Sequence, residues 1–216
     1  MRSSEEDVKD VDEPLPSFSP VTTVEQKHAL RQCISMELSR LDARRKDEES
    51  TAVCGHILPS FPPESAGICA YVPLPDEVDL RSAMEEILRR GIPLFLPRFD
   101  NHEVTFHRVD SFESLQTGTG GILEPPPDAP QPDPQKITVV LVPGRAFDRQ
   151  GNRLGRGKAG YDRWIAEHRK ANPSTRFWGI AFAEQLVDRV PVDGHDERMD
   201  TVVTPEGMLD VEESVR

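Results

Sequence analysis

Apolar residues in the first quarter of the chain recur at helical spacing. Thr22 and Thr23 are each followed three residues later by Glu25 or Gln26, the capping-box pattern that begins a helix. Four apolar residues then line one face of that helix: Leu30, Ile34, Leu38 and Leu41. The pattern predicts one helix that ends among the charged residues near Asp47.

Two further stretches have helical character. Asp79 can cap a helix that Gly91 ends, and its inward face consists of Leu80, Ala83, Met84, Ile87 and Leu88. A third helix is predicted from about Tyr161 to Lys170. The stretch from Glu124 to Pro134 is rich in proline, which predicts a stiff, exposed loop without a regular element.

Short, uniformly apolar segments between these helices have the length of buried strands. They are residues 68–72, 92–96, 104–109, 137–142, 177–182 and 201–203. Strands of this kind, alternating with helices, predict a single α/β domain with a doubly wound, mostly parallel sheet covered by helices on both faces. In such a sheet, ligands bind beyond the carboxyl ends of the strands.

The acidic charge of the chain is concentrated at its ends. The formal net charge is −12, and the first 24 residues contribute −4 while residues 205–216 contribute −3. We therefore predict a disordered acidic leader over residues 1–22, one domain over residues 23–204, and an acidic tail over residues 205–216. Within the domain, residues 145–158 carry a local charge of +4, which suits a small anion better than nucleic acid.

Other classes of protein are excluded by what the sequence lacks. No apolar run approaches the ~18 residues of a membrane span, and the acidic, proline-containing start resembles neither a secretory signal nor a mitochondrial presequence. Three cysteines without CxxC spacing are typical of reduced thiols. We expect a cytoplasmic monomer without nucleic-acid or membrane partners.

The strongest candidate site is the glycine- and arginine-rich loop from Gly144 to Asp162. Glycines at 155, 157 and 160 allow backbone N–H groups to approach an anion, and the following helix directs its positive end there. A basic, flexible surface loop is the alternative, but the position between a strand and a helix favours a phosphate site with Mg²⁺. The loop is not a Walker motif, because Asn152 and Ala159 stand at two required positions.

The roles of four further residues remain open on the pattern alone. Lys27 and Arg31 border the apolar stripe of the first helix, where they either extend to solvent or point into a cleft beside the sheet. Asp162 either complements a helix dipole or binds Mg²⁺, and Asp196 is either a turn residue or a second Mg²⁺ ligand.

Taken together, these segments resemble the 5-formyltetrahydrofolate cyclo-ligase family, also called methenyltetrahydrofolate synthetase. The resemblance runs from about Lys27 to Thr204. Its motifs are Lys27-x-x-x-Arg31, Tyr71-Val-Pro-Leu-Pro-Asp-Glu77, Gly121-Ile-Leu-Glu-Pro125, Val142-Pro-Gly-x-Ala-Phe-Asp148, Arg153-Leu-Gly-Arg-Gly157, Tyr161-Asp-Arg163 and His195-Asp196.

The resemblance implies an ATP- and Mg²⁺-dependent ligase of one-carbon metabolism that converts 5-formyltetrahydrofolate to 5,10-methenyltetrahydrofolate, releasing ADP and phosphate. ATP phosphorylates the formyl oxygen, N10 attacks the activated carbon, and phosphate leaves. The protein then positions the substrates and neutralises charge, without a nucleophile of its own.

The resemblance also implies a role for each matched residue. Arg156 and Lys158 act on the transferred group. Val72, Glu77, Arg156 and Gly160 contact the folate, and Asp162 and Asp196 bind Mg²⁺. The nucleotide is bound by Lys27, Arg31, Arg153, Leu154, Gly155, Arg156, Gly157, Lys158, Ala159, Gly160 and Tyr161.

The chain departs from the family pattern at two adjacent positions. Ala159 replaces a glycine and Gly160 replaces the first of two aromatic residues. Alanine conflicts with a glycine-only backbone angle unless Gly160 takes over that angle. A non-catalytic or weakly active folate- or nucleotide-binding homologue is therefore the alternative function. A sugar-phosphate isomerase or CoA-transferase on a related fold would need a catalytic base motif that the sequence lacks.

Overall fold

The computed structural model describes residues 22–62, 66–100, 103–118 and 121–211. Its helices are α1 (Thr23–Arg40), α2 (Ala43–Ser60), α3 (Arg81–Arg89) and α4 (Gly160–Ala171). The larger sheet contains β1 (Ile68–Cys69), β2 (Leu94–Asp100), β3 (Glu103–Val109), β6 (Val139–Pro143), β9 (Arg176–Ile180), β11 (Thr201–Thr204) and β12 (Gly207–Asp210). Smaller sheets contain β4 (Gln116–Thr117) with β5 (Leu123–Glu124), and β7 (Ala146–Asp148) with β8 (Arg153–Leu154) and β10 (Leu186–Val187).

The order of the seven-stranded sheet creates a crevice at its centre. The strands lie in the order β12-β11-β9-β6-β1-β2-β3, and the five inner strands are parallel. From β1 the chain builds the sheet first towards β3 and then, from β6, towards β12. The connections that follow the parallel neighbours β1 and β6 therefore run towards opposite edges of the sheet, and ligands of such sheets bind at this point.

Alternating residues of the strands pack against helices on both faces. Ile68, Val139 and Leu141 face one apolar core with residues of α1, α2 and α3, whereas Cys69 and Val140 face a second core with Ile165 of α4. Side chains of neighbouring strand residues point to opposite faces, so each strand contributes to both cores. The predicted doubly wound α/β fold is confirmed.

The predicted first helix is wrong at its C-terminal end. The capping box of Thr22 and Glu25 begins α1 as expected, but the helix ends at Arg40 because Leu41 adopts an extended conformation. Asp42 then caps α2 by accepting a hydrogen bond from the backbone N–H of Arg45. The charged residues around position 47 belong to this second helix, which the apolar stripe did not reveal.

Other elements shift at their ends. The strand predicted at 68–72 is only two residues long, and the N-cap of α3 is Leu80, one residue after Asp79. Glu124, predicted in an exposed loop, is buried in β5, and a 3₁₀ turn follows at Pro134–Lys136.

The two ends of the chain differ in what the structure describes. The segment after residue 204 contains β12, which pairs antiparallel with β11, so ordered structure extends into the predicted acidic tail. The predicted leader lies outside the described residues, except for Thr22. Within the described ranges, no helix is long and apolar enough to cross a membrane.

Candidate active site

A cleft of about 640 Å³ opens at the carboxyl ends of β1 and β6. Tyr71 and Val72 follow β1, while Pro143 and Gly144 lie at the end of β6, and all four line the cleft. The start of α1, the loop before α4 and the segment before β11 close its other sides. The cleft thus lies where a doubly wound sheet binds its ligand.

Lys27 of α1 points into this cleft and is buried there. Its Nζ donates to Asp193 Oδ2 at 2.9 Å and also to Asp196 Oδ2. Burial lowers the pKa of Lys27, but the hydrogen bonds and charges of Asp196 and Asp193 outweigh that effect and raise the pKa overall. Lys27 is therefore a fully charged ammonium group at neutral pH.

Arg31, one helical turn further along α1, also reaches the cleft. Its Nε donates to the carbonyl oxygen of Gly155 at 2.9 Å. Burial lowers the pKa of Arg31, and the nearby charge of Arg145 adds to that effect. Both residues that bordered the apolar stripe thus point into the cleft, which decides between the two alternatives that the sequence left open.

The loop between β8 and α4 forms one wall of the cleft. Gly157 has φ +94°, and Ala159 has φ 53°, in the left-handed region that side chains other than glycine avoid. Ala159 is the N-cap of α4 and Gly160 is the first helical residue. The left-handed conformation therefore stays at position 159 and is not taken over by Gly160.

Arg153 fixes the base of this loop to α4. Its side chain is only 3% exposed, and Nη2 donates to Asp162 Oδ1 at 2.8 Å. The guanidinium carbon lies 5.7 Å from the ring centroid of Tyr161. The Tyr161 hydroxyl is buried without a hydrogen-bond partner among the described residues, and burial raises its pKa far above the ordinary value.

The two predicted metal ligands, Asp162 and Asp196, both line the cleft. Asp162 Oδ1 accepts from the backbone N–H of Glu197 at 3.3 Å, so it lies beside the residue that follows Asp196. In the described ranges, no three acidic, histidine or cysteine side chains form a metal cluster. A Mg²⁺–nucleotide complex needs only one or two protein carboxylates, since phosphate oxygens and water supply the other ligands. The donor set thus fits Mg²⁺.

Val72 and Glu77 follow β1 and also line the cleft. Glu77 is 7% exposed at its side chain. Its Oε2 accepts from the backbone N–H of Leu74 at 3.0 Å, and its Oε1 accepts from Nη2 and Nε of Arg156 at 3.0 and 3.1 Å. An arginine of the glycine-rich loop is thus paired with the carboxylate that the resemblance assigns to folate.

Asp76, which the sequence analysis did not single out, lies beside this pair. It binds both Arg156 and Arg145, and Arg145 also donates to Ser35 of α1. Burial raises the pKa of Asp76, but the hydrogen bonds and charges of Arg156 and Arg145 outweigh this and lower the pKa overall. Asp193 was missed as well; its spacing of three residues from Asp196 was the available signal.

Every residue predicted for the site lines this one cleft. Residues from α1, the loops after β1 and β6, the glycine-rich loop and the segment before β11 converge there, although they lie far apart in the sequence. Their individual roles in binding stay predictions. The arrangement brings the cationic side chains of Lys27 and Arg31 and the enclosed carboxylate of Glu77 into one cleft.

Comparisons with known proteins identify the family of the chain. The sequence model of the 5-formyltetrahydrofolate cyclo-ligase family matches residues 23–205. The 5-formyltetrahydrofolate cyclo-ligase of Mus musculus is 28% identical over 203 residues, covering 86% of this chain and 97% of its own length. That of Escherichia coli K12 is 30% identical, covering 64% of this chain and 77% of its own length.

A solved structure shows the same fold. The NMR structure of 5,10-methenyltetrahydrofolate synthetase from Aquifex aeolicus superimposes with a TM-score of 0.75 at 30% identity. The match covers 88% of this chain and 95% of that one. The chain belongs to the 5-formyltetrahydrofolate cyclo-ligase family.

Proposed function

We propose that this protein converts 5-formyltetrahydrofolate to 5,10-methenyltetrahydrofolate with ATP and Mg²⁺, releasing ADP and phosphate. The observation that carries the proposal is the convergence of Lys27, Arg31 and the glycine-rich loop with Glu77 in one cleft. The first group suits the phosphates of a nucleotide, and the carboxylate suits the N–H donors of a pterin. A site for two substrates of opposite hydrogen-bonding character is what this reaction requires.

In the proposed reaction, the formyl oxygen takes the γ-phosphoryl group of ATP, N10 attacks the activated carbon, and phosphate leaves. Lys27, Arg31 and Lys158 hold and neutralise phosphate oxygens, while Arg156 donates to the group in transfer. Asp162 and Asp196 would hold Mg²⁺, which supplies further neutralisation of the phosphates. Phosphoryl transfer depends mainly on positioning and charge, so the cleft needs no protein nucleophile.

Some cations of the cleft are paired with carboxylates before any ligand binds. Lys27 binds Asp193 and Asp196, and Arg153 binds Asp162. Phosphates would take over the lysine and thereby release the carboxylate of Asp196 for the metal ion. Binding thus exchanges one set of ion pairs for another, which limits the cost of burying these charges.

The direct test mixes purified protein with 5-formyltetrahydrofolate, ATP and Mg²⁺ and follows the absorbance of the methenyl product. We expect product only when ATP is present. Asp162→Asn should lower turnover by at least about 100-fold, because a neutral amide neither pairs with Arg153 nor binds Mg²⁺ well. An increase in absorbance without ATP would contradict the proposal, and undiminished turnover of the variant would remove Asp162 from the metal site.

The matched control for that variant is Asp133→Asn, at an exposed aspartate that caps the 3₁₀ turn and does not line the cleft. We expect its turnover to equal that of the unchanged protein. A protein that binds both ligands in calorimetry and yields no product would instead support the alternative, a non-catalytic binding homologue. The cytoplasmic location and the monomeric state of this protein stay predictions from the sequence.

A further inference from the structure

Hydrogen-bonded ion pairs connect the two sides of the cleft. Arg145 donates to Ser35 of α1 and to Asp76, Asp76 accepts from Arg156, and Arg156 donates to Glu77. These five residues, called the cleft network below, come from α1, the loop after β1, the residues between β6 and β7, and the glycine-rich loop. The network thus joins the proposed nucleotide side to the proposed folate side.

Arg156 occupies the atoms that either ligand would use. Two of its nitrogens donate to Oε1 of Glu77, and Leu74 occupies Oε2, so both oxygens of this enclosed carboxylate are engaged. Arg156 supplies two hydrogen bonds to Oε1, which fill the acceptor capacity of that oxygen, so a pterin that donates to Oε1 displaces Arg156. A phosphate that binds Arg156 must also separate it from Glu77. The same ion pair therefore opposes the binding of each ligand.

We propose that Arg156 makes nucleotide and folate binding cooperative, because either ligand breaks the Arg156–Glu77 pair, and that Asp76 limits nucleotide affinity by holding Arg156. The inference rests on the proposed function, since it needs both ligands in this cleft. Whichever ligand binds first separates the pair, and the second ligand then binds without that cost. By thermodynamic linkage, each ligand tightens the other by the same factor.

Asp76 affects the two ligands differently. A pterin at Glu77 leaves the Asp76–Arg156 pair intact, whereas a phosphate takes Arg156 away from both carboxylates. Loss of the Asp76 charge should therefore favour the nucleotide and leave folate binding unchanged. Arg145 keeps Asp76 in place, because its own guanidinium is buried and is held by Ser35.

Titration calorimetry of the full chain tests the cooperativity. The probes are the non-hydrolysable ATP analogue AMP-PNP with MgCl₂, and 5-formyltetrahydrofolate, each titrated alone and with the other at saturation. We expect each ligand to lower the dissociation constant of the other by about tenfold, within the usual range of such coupling. Equal dissociation constants with and without the second ligand would overturn the inference.

Two variants at similar exposure test the part played by Asp76. Asp76→Asn should tighten AMP-PNP binding by about fivefold, the size of a partly exposed ion pair, and leave folate binding within about twofold. The control Asp79→Asn removes the same charge three residues away, from a carboxylate that pairs with Arg81. The side chain of Asp79 is 39% exposed, and that of Asp76 is 34% exposed. Equal tightening in both variants would mean that net charge alone acts, which overturns the role of Asp76.

Arg156→Gln provides an independent test that does not disturb Arg145. The coupling factor should fall below about twofold, while far-ultraviolet circular dichroism stays unchanged. Retention of tenfold coupling in this variant would contradict the inference. In the unchanged protein, normal turnover together with uncoupled binding would overturn this inference alone, whereas failure of both ligands to bind would overturn the proposed function together with it.

Discussion

Two neighbouring turns of the chain, residues 148–152 and residues 155–159, contain glycines in left-handed conformations but are held in different ways. Asp148 is fully buried, and its carboxylate accepts hydrogen bonds from the first turn itself, through Gln150 and Asn152, and from Val190. The loop of residues 155–159 is held by contacts with other parts of the chain. Arg31 of α1 donates to Gly155, and Arg156 of the loop donates to Asp76. We call them the closed turn and the open loop.

This difference distinguishes a structural turn, the closed turn, from a loop with groups available to a ligand, the open loop. Buried polar groups in a folded protein are paired, and the closed turn satisfies its carboxylate within a few residues. It therefore connects β7 to β8 without help from a ligand. In the open loop, Lys158 is exposed and has no ion pair or hydrogen bond within the described ranges. Groups of this kind are available for a phosphate.

The largest expected effect comes from the same substitution in the two turns. A Cβ at Gly151 (φ +78°) would lie 2.5 Å from the carbonyl oxygen of Met199, whereas a Cβ at Gly157 (φ +94°) would come no closer than 3.7 Å to Arg31. Gly151→Ala adds a backbone clash to the conformational strain and should cost about 3 kcal/mol. Gly157→Ala adds strain alone, about 1 kcal/mol.

Urea unfolding of both variants measures these free energies. Equal destabilisation would mean that close packing does not distinguish the closed turn from the open loop. The comparison would be sharpened by nucleotide titration, because Gly157→Ala should weaken AMP-PNP binding more than its loss of stability suggests. The added methyl group lies where a phosphate is expected to approach the backbone.

A smaller effect is expected from Lys158→Ala in the open loop. The exposed ammonium group has no partner to lose among the described residues, so the free energy of unfolding should change by less than about 0.5 kcal/mol. Nucleotide binding should weaken by about tenfold, since one charge-assisted contact to phosphate is lost. The control is Lys136→Ala, at an exposed lysine outside the cleft, which should leave both quantities unchanged. An equal loss of affinity in the control would mean that the protein's overall charge acts instead.

The sequence predicted the sheet better than the boundaries around it. Uniformly apolar runs such as residues 137–142 are detectable because a buried strand needs nothing but apolar residues. The break between α1 and α2 escaped because Asp42 acts through a local hydrogen bond within a run of charged residues. Charge patterns on a helix do not reveal such a cap until the backbone is known.

For the site, the motifs named residues that the structure places in one cleft, but they did not indicate which of these residues pair. Lys27 and Arg31 lie more than a hundred residues from Asp196 and Gly155, and only the fold determines that they meet. Asp76 was part of a recognised motif, yet its bonds to two arginines depend on three separate loops. Such contacts are properties of the tertiary structure, which no local spacing encodes.

The smallest expected effect concerns Ala159, where the open loop enters α4. Its φ of 53° is the only positive value for a residue other than glycine within the described ranges, and a Cβ in that region costs about 1 kcal/mol. Ala159→Gly should therefore stabilise the protein by about 0.5 kcal/mol, after part of the gain is offset by the greater freedom of glycine in the unfolded chain. Thermal unfolding should show a rise of about 1–2 °C for a chain of this size.

The control for Ala159→Gly is the same exchange inside α4. Ala166→Gly places glycine in a helical conformation, so it should destabilise the protein by about 1 kcal/mol. Opposite signs for the two exchanges would attribute the effect to the left-handed backbone and not to the lost methyl group. If both variants were destabilised, Ala159 would be stabilised by contacts of its side chain, and the departure from the family pattern at this position would carry no strain. Unchanged nucleotide affinity in Ala159→Gly would further indicate that alanine already maintains the backbone angle that the open loop needs.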